Sequence, residues 1–333
     1  MKKIINDPER FVDEMVEGIV LAHPHLVKHP GQDPRVLVRA DAPVAGKVGI
    51  VTGGGSGHLP LFKGYVGQGL CSGVAIGNVF SSPSVQQCLE AAQAVDGGKG
   101  VLFLYGNYGG DVFNFDLAAE MAELEDIEVR TVLGRDDVAS QPKERKADRR
   151  GVAGIFFAYK TAGAAAERGD DLAGVAEVAE RTVERTATMG VGLSPTILPT
   201  TGAPSFELPD GQMEIGIGIH GEPGIHRGEL RSADEIADSI LDAVTADLDL
   251  AEGDRVAVLV NGLGATPLEE LYVLYRRVHT RLSDLGVSVE RRYVGEYATS
   301  LEMAGASISL LKLDDELLEL LDAPARSPFF QEA

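Results

Sequence analysis

Two apolar runs in the first half of the chain each lead into a cluster of glycines. KVGIV (47–51) precedes TGGGSG, and VLFLY (101–105) precedes GNYGGD. Helical periodicity follows both clusters, at 83–95 and 112–124, and a third strand is expected at 128–133. Strands that alternate with helices in this way form parallel sheets. The chain is therefore predicted to be α/β, with largely parallel or mixed sheets flanked by helices.

A change of composition near residue 190 predicts a second domain. Residues 152–190 carry an alanine-rich helical periodicity, after which glycine, proline and threonine accumulate (GVGLSPTILPTTGAPSFELPDG). Two domains are expected, 1–190 with the glycine clusters and 191–333 with His220. The strands predicted in the second domain lie at 213–219, 255–260, 287–294 and 306–312.

Two helices are marked by local signals. Apolar residues recur at helical spacing from Phe11 to Val20, which predicts an amphipathic helix that ends before His23. Ser232 and Glu235 have the spacing of a capping box at the start of a second amphipathic run. Both helices would cover one face of a sheet.

The charge balance excludes a nucleic-acid partner. Asp and Glu number 51 against 30 Lys and Arg, for a formal net charge of −21. Binding to phosphates needs a basic stripe, and the densest basic segment, KERKADRR (143–150), is interrupted by acids and is expected to be solvated. An acid excess spread over the whole chain also suits a salt-rich host.

No signal for a membrane, for export or for a metal is present. No run approaches 18 apolar residues, and MKKIINDPERF lacks the apolar core of a signal peptide, so a cytoplasmic location is expected. Cys71 and Cys88 lack the spacing of a zinc site or a disulfide framework. The chain is expected to bind no metal.

The glycine cluster Gly53–His58 is the first candidate site. Backbone amides without side chains can close around an anion or a polyol oxygen. A simple tight turn explains such a cluster about as well. The cluster matches neither of the common nucleotide-binding glycine patterns in full, so a nucleotide would have to be supplied by another chain.

His58 and Asp111 are candidates for acid–base chemistry. Each follows the carboxyl end of a predicted parallel strand, where ligands bind in open α/β sheets. They could meet in one pocket and remove a proton from a hydroxyl group. The alternative for Asp111 is a helix N-cap.

His220, in GIGIHGEPGIHR, is the third candidate. A neutral imidazole is a nucleophile and can add to a ketone carbonyl to form a carbinolamine. The alternative is a core histidine bonded to the backbone. The remaining histidines form no constellation and are expected to be structural or exposed: His23, His25, His29, His226 and His279.

The combination of these segments resembles the substrate-binding K subunit of dihydroxyacetone kinases. DAPVAGKVGIVTGGGSGH, GYVGQGLCSG, FSSPS, NYGGDVFNF, GIGIHGEPGI and VNGLGATPLEELY occur in this order, and the resemblance extends from about residue 2 to residue 328. It implies a two-domain α/β homodimer. ATP or ADP with Mg²⁺ is expected on a separate L subunit, which a phosphotransferase-system phosphocarrier could recharge, and this chain would carry no cofactor.

The resemblance also implies roles for individual residues. His220 would bond through Nε2 to the ketone carbon as a hemiaminal, and His58 and Asp111 would orient and deprotonate the hydroxyl to be phosphorylated. The substrate-binding positions implied are Gly55, Ser56, Gly57, His58, Ser82 and Asp111.

Four positions depart from the usual pattern of that family. Leu59 and Phe62 replace an acid and a histidine, and Gly106 and Gly109 replace a lysine and a bulkier residue. Loss of the lysine removes a donor and opens volume. The sequence therefore predicts a kinase subunit for a short ketose, dihydroxyacetone or a slightly larger one such as erythrulose. The alternatives are a ketone sensor that acts as a transcriptional co-activator and, more remotely, an isomerase or aldolase.

Overall fold

The chain, in a computed structural model that describes residues 2–333, forms two compact units. The first comprises the residues up to Gly134, Phe156–Thr182 and Glu319–Ala333, and the second comprises Arg135–Ile155 and Val183–Leu318. The units interleave along the sequence, so a single boundary at residue 190 does not describe them. The glycine- and proline-rich composition after residue 190 belongs to a long loop within the second unit.

The first unit is built on a six-stranded sheet with the order β1-β2-β4-β3-β5-β6. The central strands β4, β3, β5 and β6 are mutually parallel, and β1 and β2 add an antiparallel edge. The strands are β1 (Val27–Lys28), β2 (Val36–Arg39), β3 (Gly49–Ser56), β4 (Gly73–Val79), β5 (Val101–Gly106) and β6 (Val129–Gly134).

Helices of the first unit bury an apolar core against this sheet. Val51, Phe103 and Phe115 are fully buried in it, with α2 and α3 packed on the strands. The helices are α1 (Phe11–Ala22), α2 (Val85–Val95), α3 (Gly109–Glu123), α4 (Ile155–Arg168) and α5 (Leu172–Glu184). The predicted strand–glycine–helix order is confirmed for β5 and α3, whereas β4, which was not predicted, lies between the first glycine cluster and α2. The parallel strands β3 and β5 have their carboxyl ends at one edge of the sheet.

The second unit contains a mixed six-stranded sheet with the order β11-β10-β12-β7-β8-β9. Only β10 and β11 are parallel, while the other neighbours are antiparallel. Two helices, α6 and α7, pack on it over a core that includes Met189, Ile240 and Val258. The elements are β7 (Thr186–Gly192), β8 (Gln212–Ile215), β9 (His226–Glu229), α6 (Ala233–Asp247), β10 (Arg255–Gly262), α7 (Leu268–Asp284), β11 (Ser288–Gly295) and β12 (Gly305–Lys312).

The chain ends in a last helix and a two-stranded ribbon. Their bounds are α8 (Asp315–Asp322), β13 (Ala325–Arg326) and β14 (Gln331–Glu332). Among residues 2–333 no helix is long and apolar enough to cross a membrane.

Several local expectations are confirmed and others are wrong. The first helix and the Ser232–Glu235 capping box form as predicted. The helix expected over 152–190 is two helices followed by β7, because β7 pairs with β12 along its whole length and its alternate residues Ala187, Met189 and Val191 lie in the core. The strand predicted at 213–219 ends at Ile215, since Gly216 takes a φ of +80° that breaks the extended backbone.

Candidate active site

The glycine cluster is part of a strand in the first unit. β3 continues through Ser56, because Gly53 and Gly54 pair in register with β4. A Cβ at Gly54 would lie 2.4 Å from the Phe62 ring, and one at Gly55 would lie 2.8 Å from the Ser81 nitrogen. The glycines thus permit a close approach by neighbouring segments, in place of the loop expected here.

β3 ends at Ser56, and the side chains of Ser56 and of His58, two residues later, are both buried. The Ser56 hydroxyl donates to the Gly77 carbonyl at 2.9 Å. The His58 ring stacks on Phe80 with centroids 5.0 Å apart and meets Phe62 edge-on at 6.2 Å. Two aromatic rings therefore hold the imidazole from different sides.

Both of these aromatic residues have a strained backbone. Phe62 has a φ of +66° and Phe80 a φ of +56°, in the left-handed region that costs a non-glycine residue about 1–2 kcal/mol. Such strain persists where the surrounding structure enforces it and is concentrated at functional sites. Phe62, which replaces the histidine that is usual in the family, therefore forms one wall of the His58 site.

Asp111 lies in the first turn of α3 and is not its N-cap, a position that Tyr108 occupies. Its Oδ2 accepts a hydrogen bond from the Ser82 hydroxyl at 2.8 Å. A Cβ at Gly110 would lie 2.7 Å from the same hydroxyl oxygen. The N-cap alternative is thus wrong. Ser82 and Asp111, each predicted as a substrate-binding residue, are in direct contact.

One segment, residues 80–82, connects the two halves of this site. Phe80 contacts His58, and its backbone nitrogen donates to the Ser56 carbonyl at 3.0 Å. Ser82, two residues later, contacts Asp111. The structure therefore brings the six residues predicted in the first unit to one edge of its sheet.

A buried lysine also lies beside this cluster. Lys63 is 1% exposed, and its Nζ is 3.4 Å from the Ser56 hydroxyl oxygen. Burial, together with the charge of Arg35, lowers the pKa of Lys63 to about 7. Sequence reasoning missed this residue, since a single lysine after an apolar segment predicts an exposed side chain.

His220 lies in the second unit, in a turn after β8. Its Nδ1 is 2.8 Å from Glu222 Oε1, and its backbone nitrogen donates to Glu222 Oε2 at 3.0 Å. A carboxylate only accepts hydrogen bonds, so Nδ1 carries a proton, and Nε2 is the nitrogen that holds a lone pair when the ring is neutral. The core-histidine alternative, with a ring bonded to the backbone, does not describe this contact.

Glu222 is a second residue that sequence reasoning missed. Burial would raise the pKa of its carboxyl, but the hydrogen bond and the charge of His220, and after them the charge of Arg150, outweigh it and lower the pKa to about 2. The available signal was the spacing His-x-Glu, which suits a carboxylate that orients an imidazole across a tight turn. Glu222 is therefore ionised over the whole physiological range.

The other three residues that differ from the usual family pattern, Gly106, Gly109 and Leu59, have different surroundings. Gly106 is buried at the end of β5, where it pairs with Gly134 of β6. Gly109 begins α3, and a Cβ there would meet open space. Leu59 is half-buried. Gly106 thus lies at the sheet edge that carries Asp111 and contributes no side chain there.

Comparison with known proteins identifies the family. A Dak1 domain matches residues 17–329. The dihydroxyacetone-binding subunit DhaK of PTS-dependent dihydroxyacetone kinase 2 from Listeria innocua is 46% identical over 331 residues, covering 99% of both chains. L-erythrulose kinase from Pectobacterium atrosepticum is 44% identical, over 99% of this chain and 56% of that protein. The solved dihydroxyacetone kinase of C. freundii matches with a TM-score of 0.91 and 31% identity, over 99% of this chain and 60% of that one. The resemblance and the α/β fold expected from the sequence are confirmed, and the chain belongs to the Dak1 domain family.

Proposed function

We propose that this chain is the substrate-binding subunit of a ketose kinase, and that His220 captures the ketone. The contact between His220 Nδ1 and Glu222 Oε1 carries the proposal, because it leaves Nε2 as the nucleophilic atom. Related proteins named as a dihydroxyacetone-binding subunit and as an erythrulose kinase give the same class of substrate.

Capture is an addition to a carbonyl group. The Nε2 lone pair forms a bond to the carbonyl carbon, and the π electrons move to the oxygen, which takes a proton from water. The Nδ1 proton then leaves to solvent by way of Glu222, so that the hemiaminal is neutral and no net proton is consumed. Only ketones and aldehydes can react in this way, which excludes polyols that lack a carbonyl.

Phosphorylation requires a hydroxyl group of the captured ketose to attack phosphorus. We assign the orientation of this hydroxyl to His58 and Asp111, with Gly55, Ser56, Gly57 and Ser82 as binding groups. The hydroxyl oxygen bonds to phosphorus as the bond to the leaving group breaks, and Asp111 or His58 takes the proton. Because phosphoryl transfer has a loose transition state, the contribution of these residues is mainly positioning.

The phosphoryl donor is a partner chain in this proposal. A nucleotide, ATP or ADP with Mg²⁺, would sit on an L subunit, recharged either by free ATP or by a phosphotransferase-system phosphocarrier. We also propose that the chain is a homodimer in the cytoplasm. Light scattering of the purified chain tests the dimer, and a monomeric mass would exclude it.

The substrate is dihydroxyacetone or a ketose about one carbon larger, such as erythrulose. Gly106 carries this choice, because a glycine at the sheet edge has no side chain, whereas a lysine would extend one from this position. Comparing kcat/KM for the two ketoses with the cognate L subunit tests it. A preference for dihydroxyacetone above about tenfold, or about 1.4 kcal/mol, would contradict the larger pocket.

The capture step is tested by intact-mass analysis after incubation with dihydroxyacetone. We expect a mass increase of one ketose that is lost in His220→Ala and kept in His226→Ala, which alters an exposed histidine of the same segment. An adduct that survives His220→Ala would refute the assignment. If the ketose binds but no L subunit with ATP phosphorylates it, the chain is a ketone sensor, and product formed without any nucleotide would indicate an isomerase or aldolase.

A further inference from the structure

A row of alternating charges begins at His220 and lies wholly within the second unit. Arg150 Nη1 lies 3.7 Å from Glu222 Oε2, on the side of the carboxylate away from the His220 ring. The Nε and Nη2 of Arg150 in turn bond to Asp137 Oδ2, at 2.9 and 2.7 Å. The order is therefore imidazole, carboxylate, guanidinium, carboxylate.

Backbone hydrogen bonds hold Asp137 and Arg150 in place. The Asp137 nitrogen donates to the Arg150 carbonyl at 3.1 Å, and the Arg150 nitrogen donates to the Ser140 hydroxyl at 3.1 Å. Asp137 Oδ1 also accepts from the Ala139 nitrogen at 3.0 Å. Arg150 is thus hydrogen-bonded through both its side chain and its backbone. The sequence of this segment, KERKADRR, had predicted solvated side chains.

A glycine gives Glu222 and Arg150 the room to approach each other. A Cβ at Gly218 would lie 2.1 Å from Glu222 Oε2 and 2.6 Å from Arg150 Nη1. Any larger residue at this position would displace one of the two groups. The space around the Glu222 carboxylate is therefore fitted to a guanidinium.

The position of Arg150 matters for the chemistry of the imidazole. A carboxylate alone beside a histidine favours the doubly protonated, cationic ring, which has no lone pair on Nε2. A guanidinium on the far side of that carboxylate opposes this effect. At 3.7 Å Arg150 acts on Glu222 mainly through charge, since the distance exceeds that of a hydrogen bond.

We propose that Arg150, anchored by Asp137, is a positioning residue that holds Glu222 and keeps His220 in the neutral, Nδ1-protonated form needed to attack a ketone. This inference rests on the proposed function of His220. Once the adduct has formed and Nδ1 has lost its proton, Arg150 remains as the partner of the Glu222 carboxylate.

The neighbouring charges are consistent with this role. Burial raises the pKa of Asp137 to about 6 against the lowering effect of Arg150, with nearby Asp136 adding to the rise. Both carboxylate oxygens of Asp136 accept backbone hydrogen bonds, one from the Val152 nitrogen and one from the Gly154 nitrogen. Glu214 and Arg227 form another ion pair near the turn.

The test is the pH profile of adduct formation with dihydroxyacetone, read by intact mass. We expect Arg150→Gln to move the midpoint of the profile upward by about one pH unit, which is about tenfold less adduct at acidic pH, and Arg150→Lys to restore most of it. Arg145→Gln, which removes an exposed arginine of the same basic segment, should leave the profile unchanged. In a Glu222→Gln background, Arg150→Gln should have little further effect, because Arg150 acts through Glu222.

A folded Arg150→Gln variant with the parent profile would overturn the proposal. If the parent forms no adduct at any pH, the proposed function fails instead, and the network is then tested without substrate. Nitrogen NMR of the imidazole reports the tautomer and its titration directly. An identical tautomer and titration of His220 in parent and Arg150→Gln would refute the role of Arg150.

Discussion

Replacing Lys63 with methionine is expected to stabilise the first unit at neutral pH and to do so less as the pH rises. The Lys63 residue is 1% exposed, and its Nζ lies 3.4 Å from the Ser56 hydroxyl oxygen. Methionine has a similar length and fills the same space without a charge. The substitution therefore removes mainly the cost of burying an ammonium group.

The magnitude follows from the shift in the pKa of Lys63 from its ordinary 10.5 to about 7. Each unit is worth about 1.4 kcal/mol, so the cost in the folded state is about 4–5 kcal/mol at pH 7 and below. Between pH 7 and 10.5 the unfolded chain binds the extra proton, and stability rises with pH. At pH 9 about 2 kcal/mol of the cost remains, so the gap between variant and parent should narrow by about 2 kcal/mol from pH 7 to pH 9.

Urea unfolding at pH 7, 8 and 9 measures this gap, with hydrogen exchange in peptides of β3 reporting the first unit. Parent and variant are compared at the same pH, so effects of pH shared by both proteins cancel. Lys99→Met is the matched control, because Lys99 is exposed and its replacement should leave the gap constant. A gap for Lys63→Met that does not change with pH would refute the argument that burial lowers the pKa of Lys63.

Two further substitutions test the His58 and Asp111 site. Ser82→Ala removes the hydroxyl that donates to Asp111, and a hydrogen bond to a charged group is worth about 1.5–3 kcal/mol. We therefore expect kcat/KM with an L subunit to fall tenfold or more while the adduct on His220 is kept. An unchanged kcat/KM would mean that Ser82 does not position Asp111. Gly54→Ala places a Cβ 2.4 Å from the Phe62 ring and should lower the free energy of unfolding by about 1–3 kcal/mol. Gly109→Ala, where a Cβ meets open space, is its control, and equal losses of stability in the two variants would contradict the steric argument.

Much of the fold was predictable because it depends on local order along the chain. The apolar runs before the two glycine clusters and the helices after them predict parallel strands whose ends meet, and β3 and β5 confirm this. The long helix predicted through residue 190 was wrong, since Thr186–Gly192 reads as a continuation of the helix until its pairing with β12 is known. The interleaved units were unpredictable for the same reason, because no local signal marks where a chain crosses between cores.

The candidate site was predicted unevenly. Asp111 was predicted from its position after a strand and Ser82 from the resemblance, and the hydrogen bond between them is a fact of tertiary structure. Glu222 lies two residues from His220 and could have been found from spacing. Arg150 could not have been found in this way, because it lies 70 residues before His220, in a segment whose charges predict a solvated surface.

The sequence by itself determined the α/β class, the family and the two glycine clusters that follow apolar runs, because these depend on residue type and spacing. The tertiary structure alone decided which partners the reactive groups have. Burial beside Ser56 lowers the pKa of Lys63, strained phenylalanines enclose His58, and a carboxylate held by Arg150 orients His220. Each of these effects arises from a distance in space between residues, and a linear pattern does not contain such distances.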